Sequence, residues 1–234
     1  MSQLFTATLS HLPGLEGDDH KELFGYITYP RFGPLYHPHP NNSENENENE
    51  SGGDLWYSFR TGKAGLGDDH LCIYRAATGR YEPTTVRTHL RGAGRGNPYV
   101  HGLHARGGRL HATWVWRGFV AYAGWDDPAD TQHKQQAGPN SAENNHDICY
   151  AYSDDEGRSW RNGAGEVVAD SESGSGIQPD SPGIVAFAIP KGSGLINQES
   201  QAVDHRGGVH VLNRDSVDGE QRWKHYYRSP DGQS

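Results

Sequence analysis

The chain has 234 residues, enough for one domain or at most two. Its 31 Gly and 13 Pro exclude a helical bundle, and its 6 Trp, 12 Tyr and 6 Phe exclude a disordered chain, which leaves an aromatic-rich all-β protein with many turns. A formal charge of −9 argues against a nucleic-acid footprint, and no apolar run approaches the ~18 residues of a membrane span.

Taken in chain order, three segments share one layout. The first has strand candidates at 26–32, 54–60 and 70–81, with a fourth at 84–90. The second has them at 98–108, 109–117 and 146–160, with a fourth expected after Trp160. The third has them at 199–208, 209–215 and 222–234, and stops where its fourth strand should begin. The repeats therefore run about 23–95, 96–170 and 196–234. Leu110, Ala112, Trp114 and Trp116 alternate with His111, Thr113 and Val115, and Ile148, Tyr150 and Tyr152 continue the pattern. That period of two predicts strands. Residues 36–53 are acidic, low in complexity and expected to be a disordered loop. The stretches 118–145 and 161–196 read as long connections of the kind that shape a binding face. Cys72 and Cys149 occupy matching repeat positions, too far apart for a disulfide, and are expected to be buried free thiols. No basic leader followed by an apolar core is visible after Met1. The 14 His suggest a protein suited to mildly acidic surroundings.

The most specific motif is the Asp box, S-x-D-x-G-x-[ST]-W, carried by Ser153, Asp155, Gly157, Ser159 and Trp160. Asp155 can accept backbone N–H bonds and close the turn, Gly157 permits a positive φ, and Trp160 opens the next strand and packs between sheets. The motif is structural. Ser229-Pro230-Asp231-Gly232 and Ala77-Thr78-Gly79 look like degraded copies.

With this box, the words Gly25 to Phe32, Gly53 to Leu55, Phe59 to Gly62, Gly108 to Arg117, Asn145 to Asp147 and Leu195 to Gln198 carry a resemblance. The chain resembles the BNR-repeat (sialidase-type Asp-box) propellers, in the carbohydrate-active branch related to ulvan lyases and rhamnose–glucuronate-cleaving enzymes. The resemblance implies an all-β partial β-propeller, about three four-stranded blades of a seven-bladed fold. It implies a lyase or glycosidase acting on acidic polysaccharide. Full-length relatives carry an earlier W-D-x-H-N strand and a later G-N-M-H strand whose histidines are the catalytic candidates. Neither is found in this chain, so impaired activity is expected, and the alternative is a non-catalytic glycan-binding or vestigial propeller fragment.

β-Elimination at a uronate needs a cation to neutralise the carboxylate, a base for the C5 proton and an acid for the leaving oxygen. Arg60 and Arg117 end equivalent strands and can grip a carboxylate, as arginines near these positions do in the resembling enzymes. Arg214 is a weaker third candidate. His146 and Tyr29 are the candidates for proton transfer, set against a turn residue and a core aromatic. Asn197 and Gln198 can bind sugar hydroxyls or close a loop. Trp125 is the candidate stacking platform, whereas Trp56, Trp114 and Trp116 read as packing between blades. His101 and His104 would face opposite sides of a strand and make a poor metal pair. His111 and His210, at matching positions, read as structural. No metal site or cofactor is expected, with a structural calcium kept as an alternative. The expected partner is a polysaccharide or oligosaccharide, not nucleic acid or a membrane. An unclosed arc of blades is expected to be marginal alone and to need missing blades or self-association.

Overall fold

The structure, a computed structural model, describes residues 12, 14–15, 23–24, 27–35, 53–127, 129 and 139–232. Three antiparallel sheets follow one another along the chain. The first is β1 (Thr28–Pro34), β2 (Leu55–Lys63), β3 (Leu66–Arg75) and β4 (Arg80–Arg91), paired in sequence order. The second runs β5 (Gly96–Arg106), β6 (Arg109–Gly118), β7 (Asn145–Ser153), β8 (Ser159–Arg161) and β9 (Val167–Asp170), with β10 (Val185–Phe187) also paired to β7. The third is β11 (Ser200–Val203), β12 (Val209–Asp215) and β13 (Arg222–Arg228). The β5–β6 hairpin shows why the meander forms. Arg106 pairs with Arg109, and the two residues between them, Gly107 and Gly108, have φ of 57° and 80°. Positive φ at both central positions makes a tight hairpin turn whose twist matches the strands.

Strand alternation then builds the core. Leu110, Ala112, Trp114 and Trp116 of β6 join Cys149, Ala151 and Trp160 against Trp56, Leu71, Ile73 and Leu90 of the first sheet. The intervening Val115 and Ile148 face the other way, onto Ile189, Leu195 and Val211, and Tyr150 meets Val203 and Val209. Each large apolar side chain buried this way contributes about 1.5–3 kcal/mol relative to exposure. The tryptophans at 56, 114 and 116 are thus packing between sheets, as expected. Cys72 and Cys149 are buried free thiols, each on the face turned towards the preceding part of the chain.

The Asp box closes the β7–β8 turn with local hydrogen bonds. Asp155 Oδ1 accepts from Ser153 Oγ at 2.7 Å and from Ser159 N at 2.8 Å, and Oδ2 accepts from Ser159 Oγ at 2.6 Å. Ser153 Oγ in turn accepts from Gly157 N at 2.7 Å. Burial works against it, but these donors hold the Asp155 carboxyl below the usual range. The turn reaches back to the first sheet: Arg75 forms a two-point ion pair with Glu156, and Arg87 Nη1 donates to the Glu156 carbonyl at 3.1 Å. Trp160 stacks on His89 with centroids 5.2 Å apart.

One expectation falls where the structure describes nothing, and others need correction. The acidic stretch at 36–53 lies outside the described residues except for Gly53. Residues 161–196 are not merely a connection: they supply β9 and β10 and bury Ile177, Ile184, Ile189 and Leu195. Ile177 N donates to His89 O and accepts back from Arg91 N through its carbonyl, both at 2.8 Å, tying this segment to the first sheet. The fourth strand of the second sheet is therefore not one strand. β8 and β10 share the outer edge of β7, pairing at Tyr152 and at Ile148–Cys149 respectively. The acid-adapted reading does not hold for four of the histidines. Burial drives His70, His89, His101 and His111 down to about 3, so they stay neutral in the fold far below their ordinary 6.5.

Candidate functional site

Two arginines, Arg60 within β2 and Arg117 next to the last residue of β6, converge on one tyrosine. In β1 the register slips between Thr28 and Arg31, and Tyr29 inside that slip adopts φ 56°. A left-handed backbone at a bulky non-glycine residue is strained and marks a place held by its surroundings. The strain turns Tyr29 edge-on to Tyr99 of β5, with centroids 5.7 Å apart. Arg60 stands not at the end of the neighbouring strand, as expected, but within it, since β2 continues in register to Lys63. Its Nε donates to Thr28 Oγ1 at 3.2 Å, and its Cζ lies 4.8 Å from the Tyr29 ring and 4.6 Å from the Tyr99 ring. Arg117 approaches Tyr99 with its Cζ 4.4 Å from that ring. Tyr99 is thus flanked by two guanidiniums, each within cation–π range.

Both arginines are buried, Arg60 at 5% and Arg117 at 2% exposure. Among the described residues, no carboxylate makes an ion pair with either. Arg117 is instead held by neutral oxygens. Its Nε donates to Asn145 Oδ1 at 2.9 Å, its Nη1 to the Asn140 carbonyl at 3.3 Å, and its Nη2 to Asn197 Oδ1. Asn145 Nδ2 donates to Asn197 Oδ1 and to the Leu195 carbonyl, both at 2.8 Å, which locks this cradle to the third sheet's approach segment. Arg60 Nη1 has no hydrogen-bond partner. Buried positive charge without a counter-ion is costly unless hydrogen-bonded or met by a ligand.

The charge shows in the tyrosines. Burial alone would raise Tyr99, yet the neighbouring Arg60 and Arg117 guanidiniums bring its phenol below the ordinary 10.0. Tyr29 moves the other way: burial first, then the neighbouring Tyr99, raise it. Burial lowers the Arg117 guanidinium. Two phenols in contact with opposite shifts are suited to opposite halves of a proton transfer.

The expected residues divide accordingly. Arg60, Arg117, Tyr29 and Asn197 come together, and Asn197 binds Arg117 directly. Gln198 follows it, half-buried. His146 does not join them. Its Nδ1 lies 2.9 Å from Asp147 Oδ2, while Asp147 Oδ1 accepts from Ile189 N at 2.9 Å. Trp125 sits at the rim, packed edge-on to Phe119 with centroids 5.1 Å apart. Its neighbourhood touches the cradle through Asn140, whose side chain exchanges hydrogen bonds with the Val120 backbone. Arg214 pairs across strands with Trp223 on a different face, and Trp223 is 56% exposed. The HGLH histidine His101 is buried between Thr113 Oγ1 at 3.3 Å and Asn213 Nδ2 at 3.0 Å. His111 lies 3.0 Å from Tyr150 Oη. His210 meets His225 at 2.8 Å and Asp204 at 3.1 Å. No cluster of three or more His, Cys, Asp or Glu suited to a metal occurs among the described residues.

Sequence reasoning missed Tyr99, Asn140 and Asn145. The available signal was Pro98-Tyr99, which places an aromatic at the start of the inner strand of the second repeat, as Tyr29 stands in the first.

Residues 46–234 match the model of the BNR repeat-containing family, and the chain belongs to that family. No curated protein matches it. Among solved structures it is similar to one described as a polysaccharide lyase of a new family, PL25, an ulvan lyase. The TM-score is 0.57 at 14% identity, over 88% of this chain and 42% of that one. The chain therefore spans less than half of the matched lyase, and the likeness shows the propeller fold.

Proposed function

We propose that this BNR-repeat chain carries the acidic-sugar site of a polysaccharide lyase. The single observation behind the reading is Tyr99 held between Arg60 and Arg117 and lowered by them. Arg60 neutralises the uronate carboxylate. Neutralising that carboxylate acidifies the C5 proton. Tyr99, the phenol held lower by the two guanidiniums, takes this proton when ionised. The C5–H electrons form the C4=C5 double bond, the C4–O4 bond breaks, and Tyr29, which remains protonated, delivers a proton to the leaving oxygen. Arg117 acts through Tyr99, since its own donors are engaged by Asn145, Asn140 and Asn197. The likeness to an ulvan lyase supports a polysaccharide substrate.

A second reading has its own support in the burial of the stack. With Arg117 at 2% exposure and its cradle saturated, Arg60–Tyr99–Arg117 also suits a rigid post beneath a sugar-binding surface, without chemistry. One assay separates the two. The purified chain is incubated with ulvan and gum arabic, and absorbance at about 235 nm follows the unsaturated uronate that only β-elimination produces. The lyase reading predicts turnover that falls at least 100-fold in Arg60→Ala, the order seen on removing one transition-state donor. Retardation in affinity electrophoresis without any chromophore supports the binding reading instead.

A further inference from the structure

We infer that Asp69 sets the affinity of the arginine site: it is the site's resident anion, and an acidic ligand enters together with a proton that Asp69 takes from solvent. The inference rests on the reading that Arg60 neutralises a uronate carboxylate.

Strand register assembles the group. Arg60 of β2 stands opposite Asp69 of β3, and Ser58, two residues before Arg60, stands opposite Arg31 of β1. Opposite residues, and residues two apart, share one face of a sheet, so Arg31, Ser58, Arg60 and Asp69 lie together. β4 adds a fifth member through a bulge. Thr88 pairs with His70 and Leu90 with Asp69, which leaves His89 as the extra residue. Its Nε2 lies 3.4 Å from Asp69 Oδ1, and Ser58 Oγ donates to the same oxygen at 3.1 Å. Asp69 is 1% exposed.

Two guanidiniums and one carboxylate give this face a net charge of one. A uronate carboxylate brought to Arg60 adds a second anion across the strands from the first. Like charges sharing one site cannot both ionise cheaply, so one of the two takes a proton. Asp69 is the one disposed to take it. Burial pushes it up to about 7, against the pull of Arg31, Ser58 and Arg60. The uronate, open to solvent before binding, has no such bias. The proton passes from water to Asp69, the ligand keeps its charge, and the net charge of the face is unchanged. His89 Nε2, which has no hydrogen-bond partner, is the acceptor nearest that proton.

The other groups around Asp69 leave it to titrate. Burial drives His89, and His101 of β5, down to about 3, and the guanidiniums stay charged. Asp68 alternates to the opposite face, where it accepts from Gly92 N at 2.8 Å. The phenols of Tyr29 and Tyr99 flank Arg60. By reciprocity, whatever the ligand does for the proton the proton does for the ligand. Affinity for an acid therefore rises as pH falls through about 7.

The test is isothermal titration calorimetry of the full chain with a short glucuronan oligomer, uronate throughout. Every protein carries Tyr29→Phe, which keeps the ring and removes the proton the leaving oxygen needs, so no turnover heat intrudes. Salt at 0.15 M screens exposed charges beyond about 8 Å. In the parent, Kd should fall about tenfold from pH 8 to pH 6, as the protonated, competent fraction grows. Titrations at pH 7 in buffers of different ionisation enthalpy should show net proton uptake. Asp69→Asn should abolish that uptake, hold Kd within about twofold across the range, and bind at pH 8 as tightly as the parent does at pH 6. A merely structural role would weaken binding instead. Ser58→Ala keeps the carboxylate and removes one donor to its charged form, so it should tighten binding at pH 8 by a smaller step. A parent Kd indifferent to pH, uptake that survives both substitutions, or weaker binding by Asp69→Asn at pH 8 overturns the role of Asp69. No binding by the parent at any pH overturns the arginine-site reading itself.

Discussion

The two ends of β7 are built on opposite terms. At its C-terminal end, Ser153 opens the Asp box, and its hydrogen bonds close among Ser153, Asp155, Gly157 and Ser159. At its N-terminal end, Asn145 enters a cradle whose members are 28, 50 and 52 residues away in sequence. The first end saturates its charge: Asp155 is ringed by donors. The second surrounds Tyr99 and Arg117 with neutral oxygens and aromatic faces, sets Arg60 across the strands from the buried Asp69, and strains Tyr29 to φ 56°. A turn that satisfies itself locally stabilises the fold. A cationic site assembled at long range, with a strained residue on it, is equipped to meet something from outside.

Acid is the strongest lever on the packed part of the fold. His70, His89, His101 and His111 stay neutral to about pH 3 when folded but take up protons near 6.5 when unfolded. Their folded pKa values lie below the unfolded ones, so the unfolded chain binds more protons as pH falls. The stability they provide is complete above about 6.5 and is lost progressively below it, by about 1.4 kcal/mol per histidine per pH unit. Urea titrations at pH 7 and pH 5 should therefore show a large drop in midpoint. An unchanged midpoint would mean these rings are hydrated. Asp155 adds a smaller effect at lower pH. Its carboxyl is held below the usual range, so its contribution persists to about pH 4 and is lost as pH falls further.

The comparison sharpens on substitution. Asp155→Ala leaves Ser159 N and Ser153 Oγ without their partner, and should cost about 1–3 kcal/mol of stability. At temperatures where it stays folded, its glycan binding should match wild type. Loss of binding in proportion to that of Arg60→Ala would erase the distinction between the two ends.

Much of this was legible in the sequence. Alternation in 110–116 and 148–152 gave the strands and the inter-sheet tryptophans, because period-two burial is a local property of the pleat. The Asp box was legible for the same reason: its spacing is its geometry. Arg60, Arg117, Tyr29 and Asn197 were named from strand ends and family words. Tyr99 was not, since its character comes from two guanidiniums brought to it by separate strands. His146 was named too, and the structure places its Nδ1 against its neighbour Asp147, apart from the arginines. The short β10 was hidden because three residues in a Gly- and Ser-rich stretch carry no periodicity, and only pairing with β7 makes them a strand. For His70, His89, His101 and His111 the count could not tell, since burial keeps them neutral.

The central claim is that two arginines make Tyr99 the acidic phenol of the site. It is tested most directly by an NMR titration of ring-labelled tyrosine, with Tyr99 assigned through Tyr99→Phe. The account predicts that Tyr99 ionises below the ordinary 10.0, before Tyr29, and that Arg117→Ala moves it upwards. A Tyr99 that ionises above 10.0, or one indifferent to the loss of Arg117, would contradict it.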